Sequence, residues 1–199
     1  MDLSNIKAVV FDLDNTLVTS GMDFQILRGV IGCPLSEDLL TYSDSLPDQH
    51  DRDRAHQIIL EHEMSDAMRS EPMSGCYELL DFLQREDFYT AVVTRNCRQA
   101  TMLKLNHNNI KFEQVITRED FPAKPAPDSL MALANQWSLP TDSVLYVGDY
   151  LYDLQAAANA NMPSCLVTHG HSPAFMEQAS LVVDELDELL LLLRQSSSH

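Results

Sequence analysis

Two aspartates in the run FDLDNTLV, Asp12 and Asp14, and two in GDYLYD, Asp149 and Asp153, have the type and spacing for metal and phosphoryl chemistry. Asp12 and Asp14 lie two apart just beyond the apolar run 6–11 (IKAVVF), where an extended chain sends both side chains to one side. Paired carboxylates there attract a cation. The same pattern occurs in calcium loops and ordinary turns, so it gains meaning only in company. Asp149 and Asp153 lie four apart at a predicted helix start, which places both carboxylates on one face. Taken singly, each would do no more than favour the helix dipole.

Two further segments offer groups for an anion. Thr94 ends the run TAVVT and is followed by Arg95 and Asn96, so a hydroxyl and a helix amino terminus could bind phosphate oxygens. A plain helix cap is the alternative there. Lys124 sits in AKPAPD, where Pro125 and Pro127 stiffen the loop and Asp128 can open the next helix. A lysine in a stiff loop is a candidate phosphate ligand, although most lysines are solvated surface cations.

The elements that must position these residues alternate along the chain. Continuous apolar, β-branched runs at 6–11, 90–94, 114–117, 143–148 and 164–168 read as buried parallel strands. Helical stretches at 75–85, 97–107, 127–137 and 150–160 separate them. This order predicts an α/β fold, a doubly wound parallel sheet of Rossmann-like type, with ligands beyond the carboxyl ends of the strands. Asp12, Thr94 and Asp149 all fall at such ends. Residues 18–73 break the alternation, with helical periodicity at 24–31, 37–46 and 52–68. They are expected to form a small helical cap inserted into a core made of 1–17 and 74–199. The run 189–193 predicts a terminal helix packed on that core.

Thirty acidic against thirteen basic residues give a formal charge of −17, which repels nucleic-acid backbones and anionic membrane surfaces. An anionic substrate therefore needs local cations. Four scattered cysteines suggest neither a zinc ribbon nor a disulfide framework and point to a reducing cytoplasm. No segment reaches the ~20 apolar residues of a membrane span, and the amino terminus lacks a secretory pattern. His169 and His171 lack the carboxylate and third ligand of a metal pair. The sequence leaves the oligomeric state open.

The ordered set DxDxT, strand-end Thr, Lys before a proline-rich turn, then GDxxxD resembles the four motifs of the haloacid dehalogenase-like hydrolases, specifically the phosphoglycolate phosphatase-like group with a helical cap. The resemblance spans nearly the whole chain. It implies that Asp12 is a nucleophile forming an aspartyl-phosphate and Asp14 the acid and base. It further implies a Mg²⁺ held by the Asp12 carboxylate, the Asp14 carbonyl and Asp149, with Asp153 orienting this shell. Thr94, Arg95, Asn96 and Lys124 would hold the phosphoryl group, and Arg28 of the insert could reach a substrate carboxylate. Because the family's dehalogenases lack an aspartate equivalent to Asp14, the chain resembles the phosphatase branch. The expected activity is hydrolysis of a small phosphorylated metabolite, possibilities including a phosphoglycolate-like one. A phosphomutase or a non-catalytic phosphate-binding regulator are the alternatives. Asn15 and Asn161 stand where the family often has Gly, and Asn tolerates the left-handed backbone such sites need.

Overall fold

The computed structural model describes residues 1–197. Six strands form one sheet: β1 (Ala8–Phe11), β2 (Tyr89–Val93), β3 (Gln114–Ile116), β4 (Val144–Gly148), β5 (Ser164–Val167) and β6 (Leu181–Val183). The order is β3-β2-β1-β4-β5-β6, and every pair is parallel. Phe11 pairs with Val92 on one side and Val147 on the other, so β1, β2 and β4 end side by side. The chain builds outward from β1 in both directions, which opens a crevice at the carboxyl ends of β1 and β4.

Alternation along the buried strands separates two apolar layers. Val9, Phe11, Val92, Leu145 and Val147 pack with α4 (Cys76–Arg85), α5 (Arg98–His107) and α8 (Leu186–Ser197) through Leu79, Leu83, Leu105 and Leu189. Val10, Ala91, Val93 and Tyr146 pack with α6 (Asp128–Trp137) and α7 (Leu151–Asn159) through Leu130, Leu133, Ala156 and Ala157. The 189–193 run thus lies in a helix packed on the core, as the sequence predicts. Strand β6 was not expected, because its three residues are too few for periodicity to show. Asn15 and Asn161 do take positive φ, 54° and 55°.

Between β1 and α4 the chain makes α1 (Phe24–Ile31), α2 (Leu39–Ser45) and α3 (Gln49–Ala67). Asp23, Asp38 and Asp48 cap their amino ends by accepting backbone N–H groups, which sharpens starts that apolar periodicity places only loosely. Leu27, Cys33, Leu39 and Ile59 form a separate small core among these helices. The segment leaves and rejoins the sheet through paired backbone: Thr19 N–H donates to Glu71 O (2.7 Å) and Met73 N–H to Leu17 O (2.9 Å). Among the described residues, no helix is long and apolar enough to cross a membrane.

Candidate active site

Strand β1 delivers Asp12 to the crevice and β4 delivers Asp149. One carboxylate oxygen from each of Asp12, Asp149 and Asp153 lies within 4.8 Å of the others, the one such acidic or metal-ligating group among the described residues. Lys124 projects into it from the proline-rich loop, buried at 4% exposure. Its Nζ donates to Asp12 Oδ1, Asp153 Oδ1 and the Tyr146 hydroxyl, each at 2.7 Å. Burial alone would lower the lysine's pKa, but Asp12 and Asp153 raise it, so it stays a cation.

Tyr146 was missed by sequence reasoning. Its signal is a hydroxyl inside the otherwise aliphatic strand VLYVG, since a buried tyrosine needs a polar partner. Gly148 is needed for a different reason: a Cβ there would meet the Asp153 side chain at 2.4 Å. Gly148→Ala should push Asp153 off Lys124 and cost roughly 1–3 kcal/mol from overpacking. Its melting temperature should fall, and an unchanged melting temperature would show that the site relaxes freely.

Asp14 turns to other partners. Lys104 Nζ donates to Asp14 Oδ1 (2.5 Å), and Asn96 Nδ2 donates to Asp14 Oδ2 (2.9 Å). Lys104, on α5 and 1% exposed, also donates to Asp66 Oδ2 (2.6 Å) at the end of α3. Asp66 in turn accepts from Gly21 N–H and Ser20 Oγ where the insert begins. Burial acts to raise the pKa of Asp66, but the Lys104 and Gly21 donors outweigh it and hold it below the usual range. Lys104 was also missed, because a single lysine on a helix reads as solvated. Breaking a buried ion pair costs about 3–5 kcal/mol. Lys104→Met should therefore lower stability by that order, and adding Asp66→Asn should recover part of it in denaturant unfolding. Simple additivity of the two substitutions would refute the coupling.

The remaining sequence candidates divide. The Thr94 hydroxyl accepts the Asn96 N–H (3.1 Å), while Cys97 rather than Thr94 caps α5. Arg95 pairs with Asp38 of the insert (2.6 Å) and stacks over the Tyr152 ring, 4.6 Å from its centroid. Asn96 holds Asp14, as above. Arg28 is not brought to this cluster: its Nη1 donates to the carbonyls of Pro34 and Glu37, each at 2.7 Å. The turn after α1 presents those carbonyls to it, and sequence cannot show that. A cleft of about 860 Å³ separates the insert from the sheet ends, with Lys124, Arg95 and Tyr152 in its wall.

Electrostatics mark the acidic cluster. Burial, then repulsion from Asp153 and Asp14, pushes the Asp12 carboxyl up to about 7 despite Lys124. Burial, then Asp12 and Asp153, pushes Asp149 up to about 8. Three carboxylates facing one lysine leave unneutralised negative charge, the condition that a hard divalent cation with oxygen ligands satisfies. The residues therefore fit such an ion. Both folded-state values exceed the unfolded carboxylate value of about 4, so the folded protein binds more protons in between. Without divalent metal, stability should fall as pH rises from about 5 to about 8. Added Mg²⁺ should flatten that fall in melting temperature, and a flat metal-free profile would refute the strain. His169, by contrast, contacts the Asn15 carbonyl (2.6 Å) and Glu185, and joins no metal-ligating group among the described residues.

Known proteins share this fold. A hydrolase from Pseudomonas syringae superimposes with a TM-score of 0.78 at 20% identity, over 95% of this chain and 98% of that one. An uncharacterized hydrolase of Saccharomyces cerevisiae is 29% identical over 99% of this chain and 95% of its own length. A phosphoglycolate phosphatase of Thiobacillus denitrificans is 26% identical over 96% and 97%. Residues 20–167 match the family described as haloacid dehalogenase-like hydrolase, and with the acidic cluster at the ends of β1 and β4 the chain belongs to that family.

Proposed function

We propose that the protein is a Mg²⁺-dependent phosphomonoesterase acting through an aspartyl-phosphate on Asp12. The observation that supports this most is the buried group Asp12–Lys124–Asp153 with Asp149 beside it, a nucleophile, a fixed cation and spare carboxylates at one crevice. Asp12 and Asp149, with the Asp14 carbonyl, would hold the ion, and Asp153 would brace Lys124 and the metal side of the site. Bound there, Mg²⁺ supplies electrostatic stabilisation to phosphoryl oxygens.

An Asp12 carboxylate oxygen bonds to phosphorus as the bond to the leaving oxygen breaks, and Asp14 gives that oxygen a proton. Asp14 then takes a proton from water as the water oxygen bonds to phosphorus, releasing phosphate and restoring Asp12. Lys124 offsets the repulsion between nucleophile and dianion. Thr94 and Asn96, in the loop after β2, would hold phosphoryl oxygens through the Thr94 hydroxyl and the Asn96 side-chain amide. Residues 18–73 serve as a cap over the crevice, tied to the core by Arg95–Asp38 and Lys104–Asp66, and limit water entry. Four buried cysteines without disulfides support a reducing, cytoplasmic setting.

The test is phosphate release from a panel of phosphorylated metabolites with Mg²⁺ or a chelator. Release that needs Mg²⁺ is expected; release unaffected by a chelator would overturn the metal role, and no release from any compound would overturn hydrolysis.

A further inference from the structure

We infer that the alcohol released by this site is an uncharged, polyhydroxylated one, and that phosphomonoesters bearing a second anion are poor substrates; this rests on the phosphatase reading above. The cleft between the insert and the sheet ends reaches Lys124, so the group attached to the phosphoryl would extend into it. A substrate carboxylate would need a cation there that is not already engaged.

Every lysine and arginine lining the cleft has an acidic partner. Lys124 is bound by Asp12 and Asp153. Arg95 is bound by Asp38 and held flat against Tyr152. Arg118 is bound by Glu63, itself 4% exposed, and donates to the Arg95 carbonyl (3.0 Å). Even His56 meets Asp44 (2.8 Å). Arg28 of the insert is committed to the Pro34 and Glu37 carbonyls.

The acids are in surplus. Asp53 and Glu119 also line the cleft; the first accepts from the Gln49 amide (2.7 Å) and the second accepts the Arg98 backbone N–H (3.3 Å). Carboxylates with spare lone pairs accept hydroxyl protons, and the Thr41, Gln57 and Gln99 side chains on the same walls can both donate and accept. A wall of this kind suits several hydroxyl groups and repels a carboxylate.

The experiment is kcat/KM with Mg²⁺ for glycerol 3-phosphate and a hexose 6-phosphate against 2-phosphoglycolate and 3-phosphoglycerate. Phosphoethanolamine serves as the cationic comparison and p-nitrophenyl phosphate as a control for the core chemistry. The hydroxylated neutral compounds should exceed the carboxylated ones by about tenfold or more. Asp38→Asn keeps an N-cap on α2 but removes the charge that holds Arg95; it should raise the ratio of kcat/KM for carboxylated over neutral compounds roughly fivefold. Equal or higher rates on the carboxylated compounds, or a preference for the amine, would overturn the inference while leaving the phosphatase reading intact. No turnover even of the aryl phosphate would overturn that reading, and this inference with it.

Discussion

Asp12→Asn is expected to lose turnover by on the order of 10⁴-fold or more, because an amide cannot form the covalent phosphoryl intermediate. The same substitution should leave the fold intact. Asp12 is a buried carboxylate crowded by Asp149 and Asp153, and burial and repulsion already push its pKa up. Removing its charge relieves that repulsion and leaves Lys124 paired with Asp153. In metal-free buffer the variant should melt at the same temperature as the wild type or higher, the usual relation between an active site and stability. Mg²⁺ should then stabilise it less than it stabilises the wild type. Full activity in a folded Asp12→Asn protein would end the nucleophile assignment. Loss of both activity and fold would show that Asp12 is structural.

Lys124→Met should be among the most damaging single changes to stability. Among the described residues the lysine is the one cation in contact with Asp12 and Asp153, and it also satisfies the Tyr146 hydroxyl. Methionine has similar length but leaves two buried carboxylates facing each other. Breaking such a buried pair costs about 3–5 kcal/mol. For a chain of this size, that corresponds to a drop of roughly 6–20 °C in melting temperature. Mg²⁺ should recover part of the loss, since it too neutralises the cluster. Activity should fall on the order of 10²–10³-fold even at saturating Mg²⁺, the scale for removing one preorganised donor. A melting temperature within a degree or two of wild type would mean that the carboxylates take up protons at little cost.

Most of the core was legible in sequence because the central strands β1, β4 and β5 are buried on both faces and so read as largely apolar runs. Residues 144–148 show this well: VLYVG is wholly buried, and the aspartate that follows stands at the crevice. Strand β6 was not legible, being three residues long and at the sheet edge. The insert's helices were found, but α3 begins at Gln49 rather than Arg52, because Asp48 caps it before the apolar periodicity starts. The choice of Arg28 failed to find the cluster for a related reason. Whether a surface arginine turns toward a site or caps its own helix end depends on carbonyls nine residues away in the chain.

The sequence by itself determined the α/β class and singled out six candidate residues (Asp12, Asp14, Thr94, Lys124, Asp149 and Asp153) and an expected divalent cation, since these follow from local patterns and the resemblance they carry. Tertiary structure alone decided the partners. Lys104 meets Asp14 and Asp66 across 90 and 38 residues of chain, and Arg95 meets Asp38 across 57. Such pairs form because burial strips water from charges and leaves them only one another to bind. No local pattern encodes which distant carboxylate a buried lysine will find.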